Sequence, residues 1–213
     1  MPSSAGKGFG ASNKPSNYQT IFEKIKAAAA GQRQSVSWYR NQLKTLSASY
    51  KSEQLISDER REQYDDLQDE NELRTTVRRG HLYFFEYKAK MKYLPYYDKF
   101  PLGYVFKRDA DGFYAANFHY LGYKSRVKAM QKLERGLIDI PRVIVHKYLS
   151  DYVESLYLDL APEEWETSVL LPVEDFVLTK GNGRIPYDRE LVWEEIKQNE
   201  SEKIKAKAVI KEY

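Results

Sequence analysis

The sequence contains no cysteine. That absence removes disulfides, thiolate nucleophiles and every zinc site built on sulfur, and with them the disulfide-framed secreted module. The three histidines, His81, His119 and His146, fall in separate stretches, and none belongs to an HExxH pattern, so no metal centre is predicted. Long hydrophobic runs are missing too. No segment approaches the roughly 20 apolar residues that span a bilayer, and the opening "MPSSAGKGFG" lacks the apolar stretch of a signal peptide. A soluble protein made and used inside a cell, without a membrane partner, is the expectation. "GKGFGA" at Gly6 has no strand before it and lacks the full glycine spacing, while GxxxxGK[ST] and GxSxG occur nowhere. No cofactor is therefore expected and no catalytic residue is assigned.

What the chain has in abundance is aromatic residues: 18 tyrosines, 9 phenylalanines and 3 tryptophans in 213 residues. They are densest in "LPYYDKFPLGYVFKRDADGFYAANFHYL", residues 94 to 121. Interleaved with Lys99, Lys107, Arg108 and Lys124, such a block could stack bases and hold phosphates, or it could pack a small sheet with hydroxyls reaching the surface. The second reading is preferred, with Tyr96, Tyr97, Phe100 and Tyr104, and upstream Trp38 and Tyr39, also serving as interface anchors.

The net charge of +3 hides strong segregation. Residues 1 to 51 hold eight bases against Glu23 alone, and residues 52 to 72 hold nine acids against Arg60 and Arg61. Blocks of this kind pair with one another, with neighbouring subunits or, on the basic parts, with nucleic acid.

Residues 1–16 are rich in Gly, Ser, Ala and Pro and read as a flexible arm. Helices are predicted from Ser16 or Asn17 to Gly31, from Ser35 or Ser37 through "WYRNQLKTL", and over the polar "SDERREQYDDLQDENELRTTVRR". From Gly80 the pattern becomes β-like. "HLYFFEY" and "YVFKRDADGFYAANFHYL" predict strands, with Asp109 to Gly112 turning a hairpin whose two faces both need cover. "SRVKAMQKLERG" predicts a helix closed by Gly136, "PRVIVHKYLSDYVESLY" a helix opened by Pro141, "PEEW" a helical turn and "TKGNGRIPYD" a loop. The expected architecture is α+β: a small aromatic-rich antiparallel sheet core with packed helices over 75–190, an extended helical N-terminal arm over 17–74 and a charged helical C-terminal tail over 191–213.

Four stretches together resemble a known family. "GHLYFFEYKAKMKYLPYYDKFPLGYVF", "GFYAANFHYL", "HKYLSDYV" and "APEEWETSVLLPVEDF" are similar to virion proteins of contractile-tailed phages, described as DNA end protector-like or as neck and tail structural proteins. The likeness covers about residues 79 to 177, and its most specific parts are the LPYYDKFPL step and the HYL strand. One departure follows Leu121, where "GYKSRVKAMQKLERG" replaces the prolines and long insertion of the relatives. The resemblance implies a non-enzymatic virion protein assembled in the host cytoplasm, present in multiple copies and partnered by neck, tail or baseplate subunits. Two forms of that expectation are carried. In one, the protein binds and protects the genome's duplex ends, and Lys24, Lys26, Arg33, Arg40, Lys44, Arg74, Arg78 and Arg79 contact phosphates. In the other, the same bases meet acidic protein neighbours and DNA is not touched. A nuclease would instead need Asp98 clustered with Glu163, Glu164 or Glu166, although acids after Pro162 suit a helix start.

Overall fold

A computed structural model describes residues 21–32, 34–35, 37–45, 73–90, 94–136, 139–180, 183–198 and 203–205. The arm over 1–16, most of the polar helix over 57–72 and Arg33 lie outside the described residues. Two helices come first, α1 (Ile21–Ala29) and α2 at 37–45. α1 ends where Ala30 and Gly31 both take positive φ, as its alanine run and glycine stop imply.

The main sheet has six antiparallel strands in the order β1-β8-β2-β4-β5-β7. These are β1 (Leu73–Arg74), β2 (Leu82–Phe84), β4 (Leu102–Arg108), β5 (Gly112–Asn117), β7 (Val145–Leu149) and β8 (Tyr157–Leu160). The hairpin between β4 and β5 closes through Asp109 N–H donating to the Gly112 carbonyl at 2.7 Å. Val105 and Phe106 are buried on opposite sides of the sheet, as alternation dictates, and a bulge at Phe106 then shifts the register so that Lys107 pairs with Tyr114. Gly112 is demanded by its neighbour: a Cβ there would lie 2.0 Å from the Tyr148 carbonyl oxygen, so no larger residue lets β5 and β7 pair this closely. Period-2 alternation along β5 runs as far as Asn117. His119 and Leu121, expected on the same strand face, instead belong to or follow a 3-10 turn over Phe118–Tyr120, capped by the Asn117 side chain accepting from His119 N–H.

A second sheet orders β10 (Gly183–Pro186), β9 (Phe176–Lys180) and β3 (Tyr96–Asp98). A third pairs β11 (Lys203–Lys205) with β6 (Asp139–Pro141). Three more helices are α3 (Tyr123–Glu134), α4 (Trp165–Ser168) and α5 (Arg189–Gln198). The predicted α+β architecture with an aromatic-rich antiparallel core is the observed one.

Four local expectations are overturned. "PRVIVHKYL" is not a helix: after one 3-10 turn it becomes β7, because its β-branched Val and Ile and its aromatic Tyr148 gain more by pairing with β5 than Pro141 gains by opening a helix. The "TKGNGRIPYD" stretch is not a loop throughout: Thr179 and Lys180 end β9, and Gly183–Pro186 form β10 paired with it. Residues 73 and 74, predicted helical, form β1, and 203–205 of the predicted helical tail pair as a strand. The expected division into arm, core and tail is also less clean than the composition suggests. Ile25 of α1, Leu43 of α2, and Val192, Trp193 and Ile196 of α5 all join the main core cluster. A narrow apolar stripe is enough when a preformed surface receives it.

Candidate functional site

Two places carry the chemistry: a buried polar network under the helices and a tyrosine-lined cavity beside the sheet. The network starts at Asp98, held at the end of β3 by pairing to Phe176. Its carboxylate accepts from Phe100 N–H at 3.0 Å, Asp175 N–H at 3.2 Å and the Asn117 amide at 3.0 Å, and meets His119 Nδ1 at 2.7 Å. Burial alone would raise its pKa, but the His119 imidazole and these hydrogen bonds override it and hold the carboxyl below its ordinary value. One turn further, Arg126 of α3 is the largest fully buried side chain. It donates to the carbonyls of Leu121 at 2.6 Å, His119 at 3.1 Å and Val169 at 3.4 Å, and pairs with Glu174. Its guanidinium also lies 4.8 Å from the Tyr123 ring and 5.3 Å from the Trp193 ring. Arg189 reaches the other Glu174 oxygen at 3.2 Å. Burial opposes the Glu174 charge, yet Arg126 and its companions hold its pKa down. Four segments far apart in sequence, 98–100, 117–126, 169–175 and 189–193, are thereby tied to one another.

The cavity encloses about 830 Å³ between β3, β7, residues 87–90 and Leu94. Tyr87, Tyr96, Tyr97, Tyr120, Tyr148 and His146 supply its walls. Most of the hydroxyls are occupied: Tyr87 accepts from Leu149 N–H at 3.4 Å, Tyr120 is bonded to the Asp98 backbone, and Tyr148 to the Asn117 side chain. Burial pushes the Tyr120 and Tyr148 hydroxyls well above the ordinary phenol range, so both stay protonated at any physiological pH. His146 lies 4.5 Å, ring to ring, from Tyr120, and burial lowers its pKa to about 4. Its Nε2 is shut off from solvent and has no hydrogen-bond partner among the described residues.

The predicted phosphate-contacting cations divide into three groups. Lys24 and Lys26 sit on α1, the first half-buried and the second exposed. Arg40, Lys44 and Arg74 are turned onto carboxylates of their own chain. Arg40 pairs with Asp175 at 3.5 Å and donates to the Val173 and Glu174 carbonyls; Lys44 pairs with Glu86 at 2.5 Å; Arg74 faces Asp159 at 3.5 Å. Arg78 and Arg79 are exposed on the turn before β2. The Arg78 backbone N–H donates to the Tyr83 hydroxyl at 2.9 Å, which fixes the turn that carries both side chains.

The interface set divides similarly. Trp38 and Tyr39 pack edge to face at 5.1 Å and, with Tyr96 and Tyr104, lie half-buried on the main core. Tyr97 and Phe100, by contrast, are only 5% and 2% exposed, spent in the chain's own interior rather than held out for a neighbour. Asp98 is tied into the network above, while Glu163 and Glu166 are exposed around the short helix after Pro162. No three His, Asp or Glu side chains are placed to hold a metal ion among the described residues. Nor, among those residues, is any helix long and apolar enough to cross a membrane. Sequence reasoning passed over His146 and Tyr148 as cavity residues because it read their segment as a helix, which would not have brought them against Tyr120. The run of β-branched residues Val143–Val145 followed by the aromatic Tyr148 was the signal for a strand.

No protein-family model, curated protein or solved structure matches this chain.

Proposed function

We propose that the chain is a non-enzymatic structural subunit of a contractile-tailed phage virion, seated at the neck or tail, whose exposed bases contact the duplex ends of the packaged genome. One observation carries the structural part. Asp98 of LPYYDKFPL and Asn117 and His119 of GFYAANFHYL, the stretches most like the phage family, hydrogen-bond one another inside the protein instead of facing a substrate. Residues used this way specify a fold, and a fold shared with virion subunits is what the resemblance needs. The DNA contact is carried by Arg78 and Arg79, which remain exposed where three other candidate cations are not.

A second reading is favoured by those three. Arg40 and Lys44 fasten α2 to Asp175 and Glu86 of the core, which is the work of an assembly subunit that touches only protein.

Gel shifts on linear and covalently closed duplex DNA over a range of salt separate the two. The DNA reading expects linear DNA to be preferred and Arg78→Ala with Arg79→Ala to lower the salt slope by about 2, roughly one per lost phosphate contact. The Arg40→Ala and Lys44→Ala changes should leave that slope in place. Absence of any shift at low salt removes DNA and leaves the protein-only subunit.

A further inference from the structure

The cavity has three properties that belong together chemically. Its walls are tyrosine rings whose hydroxyls are largely tied to the backbone or to Asn117, so what they offer an occupant is aromatic surface. Two buried polar atoms on its lining residues have no hydrogen-bond partner among the described residues, His146 Nε2 and the Tyr97 hydroxyl oxygen. The rim is cationic. Lys90 lines it and lies 5.7 Å from the Tyr152 ring, while Arg184 of β10 sits 5.5 Å from the Tyr97 ring and 3.5 Å from the Ala89 carbonyl. Neither Lys90 nor Arg184 forms an ion pair among the described residues, although Lys147 at the same cavity is neutralised by Asp109 and Asp111. Asp98 also borders the cavity, but its charge is enclosed by His119, Asn117 and two backbone N–H groups. Three nearby carboxylates are engaged by other groups, Glu195 by the Tyr96 and Tyr187 hydroxyls, Glu154 by Lys88 and Asp175 by Arg40 and Lys44, so Lys90 and Arg184 leave the rim attractive to an anion beside a ring-lined interior.

We infer that this cavity binds one unpaired nucleotide, with its base against Leu94 and the half-buried ring of Tyr96 and its phosphate between Lys90 and Arg184. The assignment rests on the genome-end reading above and adds to it: a duplex end that frays, or carries an overhang, presents such a nucleotide, whereas a closed circle does not. Stacking on aromatic walls is tolerant of base identity, so little sequence preference is expected.

Fluorescence anisotropy of the full chain with a labelled eight-residue oligothymidylate tests the assignment, with an abasic oligonucleotide of equal length and charge as the reference. The expected result is binding about tenfold tighter to the oligothymidylate than to the abasic strand, the size of one base stacked on aromatic rings. Ala89→Trp and, as a second variant with less demand on the core, Leu94→Trp fill the cavity and should remove that tenfold advantage and reduce the preference for linear over closed duplex, while leaving the salt slope set by Arg78 and Arg79 unchanged. Lys90→Ala with Arg184→Ala should weaken both oligonucleotides alike. Equal affinity for the two strands, or an advantage that survives in both filled variants that melt as the wild type does, overturns the inference. Displacement of the oligonucleotide by N-acetyltryptophanamide but not by thymidine also overturns it and assigns the cavity to a protein side chain. If the linear duplex still shifts but oligothymidylate does not bind, the cavity assignment alone fails; if neither binds, the genome-end reading falls with it.

Discussion

The two faces of the six-stranded sheet are closed in different ways. One face, built on Leu82, Phe84, Leu102, Phe106 and Leu158, is covered by α1, α2, α3 and α5 through aliphatic side chains and Trp193. The other, built on Tyr83, Phe85, Phe113, Tyr148 and Tyr157, receives no α-helical residue among those described and is closed largely by its own rings. Phe85 lies edge-on to Phe113 at 5.5 Å and to Tyr148 at 5.1 Å, and Tyr148 meets Tyr87 at 4.9 Å. Aliphatic chains under helices can interdigitate to high density, and the Arg126–Glu174 network locks them in place. The cavity lies where the two clusters meet, lined by Tyr96, Tyr120 and Val145 from the helix side and by Tyr87, Tyr97 and Tyr148 from the aromatic side. The difference teaches where rigidity and room for a ligand reside: the helix side carries the charged lock, and the room opens at its junction with the tyrosine side.

The comparison is most severely tested at its buried ion pair. Arg126→Ala leaves Glu174 enclosed without its buried cation, with the partly exposed Arg189 and the Tyr123 hydroxyl beside it, and should cost about 3–5 kcal/mol in urea unfolding. A loss below about 1 kcal/mol would mean that the helix side does not depend on that lock.

Acid should act on the same side. Asp98 and Glu174 have pKa values lowered on folding, so their contribution is fully present above the ordinary carboxylate range and is lost as pH falls through the folded-state values. The denaturation midpoint should hold from pH 7 to about 5 and decline below about pH 4. Asp98→Asn should reduce the decline; a wild-type midpoint unchanged to pH 3 would contradict this account.

On the aromatic face, Phe113→Leu keeps most of the volume and removes the ring contacts with Phe85 and Tyr148, for an expected loss of about 1 kcal/mol. A cost equal to that of Arg126→Ala would erase the contrast between the faces. The smallest effect belongs to Lys44→Ala, whose pair with Glu86 is about a quarter exposed; roughly 0.2–1 kcal/mol is expected, falling further in high salt.

Some of this was readable from residue order and some was not, and particular elements show why. The β4–β5 hairpin announced itself through Asp109–Gly112 between two aromatic runs, and α3 through its glycine stop, because turn geometry and helix closure are local. "PRVIVHKYL" misled, since a proline that suits a helix start and β-branched residues that suit a strand compete, and only the presence of β5 beside it decides. The polar network was hidden for a different reason. Asp98, Asn117 and His119 were each visible within the aromatic block, but Arg126 looked like one more exposed base on a helix, and nothing in its neighbours marks it as the residue enclosed by Glu174, Tyr123 and Trp193. The same holds for Arg40 and Lys44, whose charges are legible and whose partners, more than 40 residues away in each case, are not.

By itself the sequence determined the α+β class, the hairpin, the helix ends and the crowding of aromatic rings between residues 94 and 121, since propensity, capping and period-2 alternation act over a few residues. Tertiary structure alone decided which bases face solvent and which are consumed, that His146 and Tyr148 would stand with Tyr120 around a cavity, and that a motif of Asp, Asn and His would serve cohesion. Burial and long-range pairing set those outcomes, and both depend on where distant segments are brought together as the chain closes on itself.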